Sequence, residues 1–512
     1  MISAEKKNFQ SRKFPGQVVN FLFWGAIVGV IAFYSSAIPL GFDESYNLNL
    51  AVTIAEYNRY ATHFADGFRH FDPAISTGPA LMILLGLWFK FIEPSFASVR
   101  IFMGVLFLLS LIFLYEGVRV WLGHRVARIT TIGFLLLPLV LFWGSSAQGD
   151  IWAVGWVCLS FFFLKKGIMD AHQTTRPWLW LFISGLCLGM AVLTKTIIFL
   201  LIPALIVSAI ISGYQRRSGW RLSREMFPSL LAVLMFTLWQ LFQKLVLRWL
   251  AAPEVYSNWL QTSANRNSMM MQVVIFNPLS HPYEAWSVSF RDFGPFLLAF
   301  AVAAALAFWQ RHAETPLWDL SVHFERIALI GAATYFFWFC FLSGEQANNR
   351  HLILGYFLIL VLIVKVWVTL WFSEYHLVSW TRFFAVGLLA LLLGWGISKG
   401  VKIDQGIYQY GHHHQANQNV VSLWVQKNIL LTEPIGGVGW FVPWDIVFLT
   451  GHLPFQMDVL ETPFQGWGNW LILTPELSAT GNLTDDIQHR IDLHGTLMFQ
   501  EDGYQIYYME KK

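Results

Sequence analysis

Residues 18–45 read VVNFLFWGAIVGVIAFYSSAIPLGFDES, an apolar run that ends in a glycine and two adjacent acids. The run Val18–Leu40 is long enough to cross the roughly 30 Å hydrocarbon core of a bilayer as one helix. A cleaved signal peptide has a shorter apolar region and a small-residue cleavage site. We therefore predict an uncleaved first membrane helix, with the basic segment before it in the cytoplasm.

The composition of the whole chain is that of a membrane protein. Of its 512 residues, 56% are hydrophobic and 13% are charged, whereas soluble globular proteins carry about 25% charged residues. The net charge of +3 is too small to indicate a nucleic-acid partner. The three cysteines lie in apolar runs, without the spacing of a disulfide framework or a metal site. We predict that the protein contacts membrane lipid and needs no cofactor. The residues leave open whether it uses a divalent metal ion.

Ten further apolar runs predict spans, and one shorter run is ambiguous. Pro79–Ile92 contains Lys90 and is short for a span, so its length favours an interfacial segment. With that segment in the interface, the basic clusters between later runs all fall on the cytoplasmic side. We predict about eleven spans, an N-terminus inside and a C-terminus outside. The spans after the first are Val99–Val118, Val126–Trp143, Ile151–Leu164, Trp178–Leu193, Ile197–Ser212, Phe227–Leu245, Phe293–Trp309, Ile327–Leu342, Leu352–Phe372 and Thr381–Ile397.

The same topology predicts two domains. Residues 1–398 would form a mostly α-helical transmembrane bundle, with a first outer loop at residues 41–98 that contains interfacial helices. Residues 399–512 are rich in polar residues and have no spanning run, only short apolar runs between Gly and Pro that are typical of strands. We predict that this tail is a small extracytoplasmic α/β domain.

Acidic residues stand at two predicted helix starts on the outer face. Asp43 and Glu44 follow the first span directly, and the apolar spacing after them predicts a helix that lies flat on the membrane. Asp150 starts the fourth span. Each acid is explained by helix capping alone. Alternatively, two carboxylates that flank one cavity are suited to acid–base catalysis. Asp43, Asp150 and Glu44 are therefore the candidate catalytic residues.

Four basic residues on the outer face run against the positive-inside trend, so each needs an explanation. One explanation is that a long basic side chain reaches to the membrane interface. The other is a binding site for a phosphate at the membrane surface, where Arg offers two parallel donors. The candidate phosphate ligands are Lys195, Arg350, His351 and Arg69.

Several of these residues stand in motifs, and the motifs together resemble a known superfamily. They are Asp43-Glu44 after the first helix, Pro79-Ala80-Leu81 opening the interfacial segment, Arg100 in the second helix, Asp150 in the fourth, the glycine-rich helix Gly185–Lys195, and Arg350-His351-Leu352-Ile353-Leu354. This set resembles the type-C (GT-C) membrane glycosyltransferases, specifically the protein O-mannosyltransferase and aminoarabinose-transferase superfamily. One departure is the stretch Ser76-Thr77-Gly78-Pro79, where that superfamily often has a basic residue and two prolines.

The resemblance implies a hexosyl- or pentosyltransferase of the inner (plasma) membrane. Its donor would be a polyprenyl-phosphate-linked sugar. Its acceptor would be a hydroxyl of a glycan, lipid or protein on the periplasmic face, and the transfer would invert the anomeric carbon. Asp43 would be the general base, and the basic residues would stabilise the phosphate leaving group.

Two other functions remain open from the residues. A transporter or flippase would move a lipid-linked sugar without chemistry, and would favour internal repeats and broken helices. A polymerase or ligase would also use polyprenyl lipids. A pocket shared by Asp43 and Asp150 would favour the transferase. The cluster His412-His413-His414 predicts a hinge rather than a metal site, because three adjacent side chains cannot all point the same way.

Overall fold

The computed structural model describes the chain with gaps, and the statements below concern the described part. Within it the chain is mostly α-helical with a small sheet near the C-terminus, which confirms the predicted fold class. The segment at residues 248–291, which the predicted topology places on the outer face between two spans, lies mostly outside this part. The described residues are 13–72, 75, 77–169, 176–215, 219–250, 256, 280–310, 317, 323–341, 349–372, 379–438, 441–457, 469–475, 477 and 485–510.

The membrane domain consists of long apolar helices joined by short connections. Ten helical segments of the described chain are long and apolar enough to cross a membrane. Short 3-10 helices at Thr196–Leu201 and Asn349–Leu352 precede α8 and α12. In chain order the α-helices are α1 (Lys13–Ser35), α2 (Phe42–Tyr57), α3 (Pro79–Phe89), α4 (Phe96–Leu135), α5 (Val140–Ser145), α6 (Asp150–Met169), α7 (Pro177–Thr194), α8 (Ile202–Gln215), α9 (Gly219–Leu250), α10 (Ser280–Trp309), α11 (His323–Phe341), α12 (Ile353–Phe372) and α13 (Ser379–Asn428).

The predicted number of about eleven spans matches these ten segments approximately, and α4 accounts for the difference. It joins the second and third predicted spans around Gly123, whose φ of 85° and ψ of 170° are not helical. Glycine takes this conformation without steric cost, so the chain can turn there. The third predicted span then continues through a break at residues 136–139 into α5.

Burial separates the centre of the bundle from its periphery. In the apolar window of α12, 83% of the residues are buried, against 11% in that of α9. A helix that is apolar all round and fully surrounded occupies a core, whereas α9 presents its apolar side chains to the bilayer. Helices α4 and α6 pack closely, because a Cβ atom on Gly117 would lie 2.5 Å from the carbonyl oxygen of Cys158.

The first outer loop holds α2, a β-hairpin and α3. The hairpin pairs β1 (Ala61–Phe64) with β2 (Gly67–His70) antiparallel. Helix α3 has 11 residues, and at 1.5 Å per residue it cannot cross a 30 Å hydrocarbon layer. The prediction that this segment is not a span is therefore confirmed.

The C-terminal region is a five-stranded mixed sheet with two short helices. Its strand order is β4-β3-β5-β7-β6, with β3 parallel to both neighbours and β7 antiparallel to both of its own. The predicted domain boundary between residues 398 and 399 falls inside α13, which runs unbroken from the membrane domain towards the sheet. The elements are β3 (Ile435–Val438), α14 (Trp444–Thr450), β4 (Pro454–Met457), β5 (Trp470–Leu473), α15 (Asp485–His494), β6 (Gly495–Glu501) and β7 (Tyr504–Met509).

The C-terminal region packs directly on the first outer loop. The ring of Tyr46 on α2 lies 4.4 Å from that of Trp444, centroid to centroid. The backbone N–H of Ala65 donates to the carbonyl of Pro454 at 2.8 Å. The side-chain amide of Gln418 on α13 donates to the carbonyl of Leu40 at 2.8 Å. These contacts fix the start of α2, which carries Asp43, between the C-terminal region and the ends of the membrane helices.

Candidate active site

Asp43 lies in the first turn of α2 and contacts an arginine that stands 307 positions later in the sequence. The residue that caps α2 is Gly41, so helix capping does not explain Asp43. The Oδ2 atom of Asp43 lies 3.0 Å from Nη1 of Arg350. The Asp43 side chain is 41% exposed, whereas that of Arg350 is 14% exposed. The predicted base and one predicted phosphate ligand are therefore in direct contact.

Arg350 also binds the loop that precedes α6. Its Nη1 donates to Oε1 of Gln148 at 2.6 Å, and its guanidinium carbon lies 5.5 Å from the ring centroid of Trp143. One guanidinium group therefore links α2, the loop at residues 146–149 and the start of α12. Sequence reasoning missed Gln148, whose only signal was its position two residues before Asp150.

Lys195 and Asp150 form the second ion pair of the site. Nζ of Lys195 lies 3.5 Å from Oδ2 of Asp150, and the two side chains are 6% and 4% exposed. Burial lowers the pKa of Lys195, and the positive charge of Arg350 lowers it further. The negative charges of Asp150 and Asp43 act in the opposite direction. The two ion pairs therefore lie within electrostatic range of each other and form one cluster.

Close backbone packing positions the Lys195–Asp150 pair. The N–H of Gly78, just before α3, donates to the carbonyl of Thr194 at 2.9 Å. A Cβ atom on Gly78 would lie 2.0 Å from the carbonyl oxygen of Leu193. Gly149 has a φ of +79°, and its Cβ would meet the methyl of Thr194 at 2.9 Å. Two glycines thus let the ends of α7 and of the 146–149 loop meet.

Polar side chains beneath the cluster hold the same loops. Nδ2 of Asn47 donates to Oγ1 of Thr77 at 3.0 Å and to the carbonyl of Ala147 at 3.3 Å. The Thr77 hydroxyl in turn donates to the carbonyl of Gln148 at 2.9 Å. Thr77, within the stretch 76–79 that departs from the superfamily pattern, therefore holds the Gln148 loop in place.

His351 lies beside the cluster. Its ring is edge-on to that of Trp338, at 6.1 Å between centroids. The charges of Asp150, Lys195 and Asp43 all act on it. The structure thus brings five predicted residues together: Asp43, Asp150, Lys195, Arg350 and His351.

Glu44 lies beneath the site rather than in it. Its two oxygens accept hydrogen bonds from Nη1 and Nη2 of Arg100 at 2.5 and 3.0 Å, and the N–H of Ala147 donates to Oε1 at 2.7 Å. The side chain is 1% exposed. With its oxygens engaged and shielded from solvent, Glu44 has a structural role in this geometry, as part of a clamp between α2, α4 and the 146–149 loop.

Arg69 is not brought to the cluster. It lies on β2, where its guanidinium covers the ring of Phe64 at 3.5 Å and Nη1 donates to Oε1 of Gln456 at 3.1 Å. Its other ionic contact is Asp66, at 3.7 Å. These partners join the hairpin to the C-terminal sheet. The sequence could not show this, because Gln456 is distant in the chain and has no motif around it.

The histidine cluster makes contacts with the C-terminal sheet region. Nε2 of His413 lies 3.2 Å from Oδ2 of Asp502, and His414 stacks on Tyr410 and Tyr504. Among the described residues, no group of three His, Cys, Asp or Glu side chains is arranged to hold a metal ion.

The chain is similar to one protein family and to several solved structures. Residues 76–242 match the family profile of the dolichyl-phosphate-mannose-protein mannosyltransferases. The structure of ArnT from Cupriavidus metallidurans bound to undecaprenyl phosphate is similar to this one, with a TM-score of 0.58 at 13% identity, over 96% of this chain and 98% of that one. The protein has the type-C membrane glycosyltransferase fold. The predicted superfamily resemblance is confirmed.

Other GT-C structures are similar as well. The oligosaccharyltransferase AglB from Archaeoglobus fulgidus, in complex with an inhibitory peptide and a dolichol-phosphate, aligns with a TM-score of 0.52 and 11% identity, over 95% of this chain and 74% of that one. The arabinofuranosyltransferase AftD from Mycobacteria aligns with a TM-score of 0.50 and 10% identity, over 96% of this chain and 40% of that one. The chain matches no curated protein sequence.

Proposed function

We propose that the protein transfers a sugar from a polyprenyl-phosphate donor to an acceptor hydroxyl on the outer (periplasmic) face of the inner membrane. The transfer inverts the anomeric carbon, and Asp43 is the general base. One observation carries the proposal: a half-exposed carboxylate stands beside two cations at the ends of membrane helices. Nη1 of Arg350 is 3.0 Å from Oδ2 of Asp43. The charges of both residues influence the pKa of Lys195, which is therefore within electrostatic range of them. A carboxylate base next to a phosphate-binding pair is what this transfer requires.

The proposed step is a single displacement. The acceptor hydroxyl loses its proton to Asp43 while its oxygen attacks the anomeric carbon. The bond between that carbon and the phosphate oxygen breaks, and the electron pair leaves with the polyprenyl phosphate. Attack from the side opposite the leaving group inverts the anomeric configuration. Protonated Asp43 then returns its proton to solvent.

Exposure distinguishes the two acids. Asp43 is 41% exposed and can be reached by an acceptor, whereas Asp150 is 4% exposed and paired with Lys195. We therefore assign proton transfer to Asp43. Asp150 orients the Lys195 ammonium towards the donor phosphate, and no proton transfer is assigned to it.

Arg350 and Lys195 are the proposed phosphate ligands, with His351 as a flanking donor. A guanidinium presents five N–H groups, so Arg350 can contact a phosphate and still hold Gln148. Its bond to Asp43 would then be exchanged for the phosphate, which releases the carboxylate to accept the acceptor proton. Donor binding and activation of the base would be coupled through this one side chain.

The comparisons support a lipid-linked donor. ArnT is described bound to undecaprenyl phosphate and AglB in complex with a dolichol-phosphate. The transporter alternative would need polar residues along a path through the bilayer. The cluster of Asp43, Asp150, Lys195 and Arg350 instead collects at adjoining helix ends, which favours the transferase.

The C-terminal sheet is proposed to select the acceptor. Its contacts through Trp444 and Pro454 hold it against the first outer loop, which carries Asp43 on α2. An acceptor bound to the sheet at this contact would be close to the helix that carries the proposed base. The proposed acceptor is a hydroxyl of a glycan, a lipid or a protein.

Reconstitution tests the proposal. The purified protein in liposomes is incubated with a panel of radiolabelled polyprenyl-phosphate hexoses and pentoses and with membrane extract as acceptor. We expect one donor to be consumed, with the label in a product of inverted anomeric configuration. The Asp43→Asn protein serves as the control. Movement of an intact lipid-linked sugar across the liposome membrane, without product, would instead support the transporter.

A further inference from the structure

A groove lies between α1 and α4, on the lipid-facing periphery of the helix bundle. It has a volume of about 490 Å³ and is walled mainly by apolar side chains. It follows α1 from Val28 to Ser36 and α4 from Phe96 to Leu108, and Gln415 of α13 closes one end. This is the size of a site for one small ligand or one hydrocarbon chain.

Small residues open the groove. Gly104 on α4 and Ala32 on α1 line it. A Cβ atom on Gly104 would meet one atom within 4 Å, the Cγ2 of Ile31 at 3.6 Å. The two helices therefore leave open space here where larger side chains would fill it.

The groove is continuous with the surface that faces the bilayer. Three lining side chains are also among the exposed large apolar residues: Val28 at 45%, Ile101 at 59% and Val105 at 52%. They belong to helical segments that are long and apolar enough to span a membrane. A cleft open to hydrocarbon is filled by hydrocarbon, because neither water nor protein polar groups are available there.

One end of the groove is polar. Arg100 reaches it, but all three guanidinium nitrogens are already engaged, by Glu44 and by the carbonyls of Ile38, Pro39 and Ser145. Gln415, in contrast, is partly exposed and has no hydrogen-bond partner within the described chain. Ser36 also lines the groove, but its hydroxyl already donates to the carbonyl of Phe33 at 2.7 Å. An apolar groove that contains one side-chain amide with unused donors and acceptor matches an amphiphile.

We propose that this groove binds one acyl chain of a bilayer phospholipid, with the ester or headgroup region hydrogen-bonded to Gln415. The donor's polyprenyl chain is a less suitable occupant. Its phosphate is assigned to Lys195 and Arg350, and α6 packs between α4 and α7, the helix that ends at Lys195. A chain leaving that phosphate would have to pass α6 to reach the groove. Moving an acyl chain from bulk lipid into the groove gains little free energy, because both surroundings are apolar. Specificity therefore rests on close packing in the groove and on the hydrogen bond to Gln415.

Photocrosslinking tests this inference without reference to transfer activity. The full-length protein in liposomes is labelled with phosphatidylcholine that carries a diazirine on one acyl chain. Crosslinked peptides are then mapped by mass spectrometry. We expect crosslinks at Ile101 and Val105, and a strong loss of them in Gly104→Phe, whose ring fills the groove. Gly25→Leu is the matched control, since Gly25 is on α1, does not line the groove and has no atom within 4 Å of its Cβ position.

Two further variants keep the outcome decisive. If Gly104→Phe does not fold, Ala32→Leu occupies the same space from α1. Gln415→Leu should lower labelling about threefold or more, as expected for one lost hydrogen bond. Equal labelling of the filled variants and the wild type would overturn the proposal. So would displacement of the label by unlabelled polyprenyl phosphate, which would assign the groove to the donor. Neither the labelling of the variants nor its displacement requires transfer activity. Both therefore test the groove even if the transfer assay fails.

Discussion

Asp43 and Arg350 are 307 positions apart in the sequence and form an ion pair of 3.0 Å in the candidate active site. The same Arg350 Nη1 binds Gln148. The proposed base, the loop before α6 and the start of α12 therefore share one guanidinium group.

Asp43→Asn should abolish most transfer while leaving donor binding nearly unchanged. The amide keeps the size of the side chain but cannot accept the acceptor proton, and loss of a general base typically costs about 10²–10⁴-fold in rate. Transfer rate and donor affinity are measured on the same preparation. Asp66→Asn, at an exposed acid of the β1–β2 hairpin, is the control and should be near wild type. Full activity of Asp43→Asn would remove Asp43 from the mechanism.

Arg350→Ala and Lys195→Ala should each weaken donor binding about tenfold or more. A charge-assisted hydrogen bond is worth roughly 1.5–3 kcal/mol, and each variant loses at least one to the phosphate. The measurement is the affinity for a polyprenyl-phosphate sugar in detergent. Arg69→Ala is the matched control, because Arg69 contacts Gln456 and Phe64. A loss with Arg69→Ala equal to the other two would return that residue to the phosphate site.

Glu44→Ala should destabilise the protein rather than change its chemistry selectively. It would leave Arg100, which is 4% exposed, with its charge buried and unpaired, a change that typically costs about 3–5 kcal/mol. The readout is the thermal unfolding temperature. The control is Glu116→Ala, which removes the half-exposed partner of Arg119 and should cost less than about 1 kcal/mol. Unchanged unfolding of Glu44→Ala with loss of turnover would instead indicate a catalytic role.

Gly78→Ala should lower donor affinity by displacing the end of α7. Its Cβ would lie 2.0 Å from the carbonyl oxygen of Leu193, so the backbone that carries Lys195 must shift. Gly406→Ala is the control, since no atom lies within 4 Å of that Cβ position. The measurement is donor binding at matched protein level. Identical binding by both variants would show that the contact does not position Lys195.

Cysteine labelling should establish the orientation of the chain. In a variant without Cys158, Cys187 and Cys340, a cysteine at Asp66 should react with an impermeant reagent from outside. A cysteine at Tyr214, which is 86% exposed at the end of α8, should react only after permeabilisation. The expectation follows from positive-inside counting. The reverse pattern would invert the predicted topology.

Local composition is enough to predict that the chain spans a membrane and roughly where each span lies. An apolar run of about twenty residues has one favourable environment, so the spans at α6, α7 and α12 follow from local composition. It also singled out Lys195 and Arg350, because basic residues on the outer face run against the positive-inside trend. Asp43 and Asp150 stood out because two carboxylates at outer helix starts are suited to acid–base catalysis if they share a cavity. Those inferences need no knowledge of which helices are neighbours.

Which of these residues come into contact depends on how the helices and loops pack. Arg350 selects Asp43 and Gln148 because α2, α12 and the 146–149 loop pack at one point. Glu44, adjacent to Asp43 in sequence, lies on another side of α2 and pairs with Arg100. Arg69 is drawn to the C-terminal sheet by Gln456. Each partner lies dozens to hundreds of residues away, and contacts at such separation depend on how helices pack, which local sequence pattern does not encode.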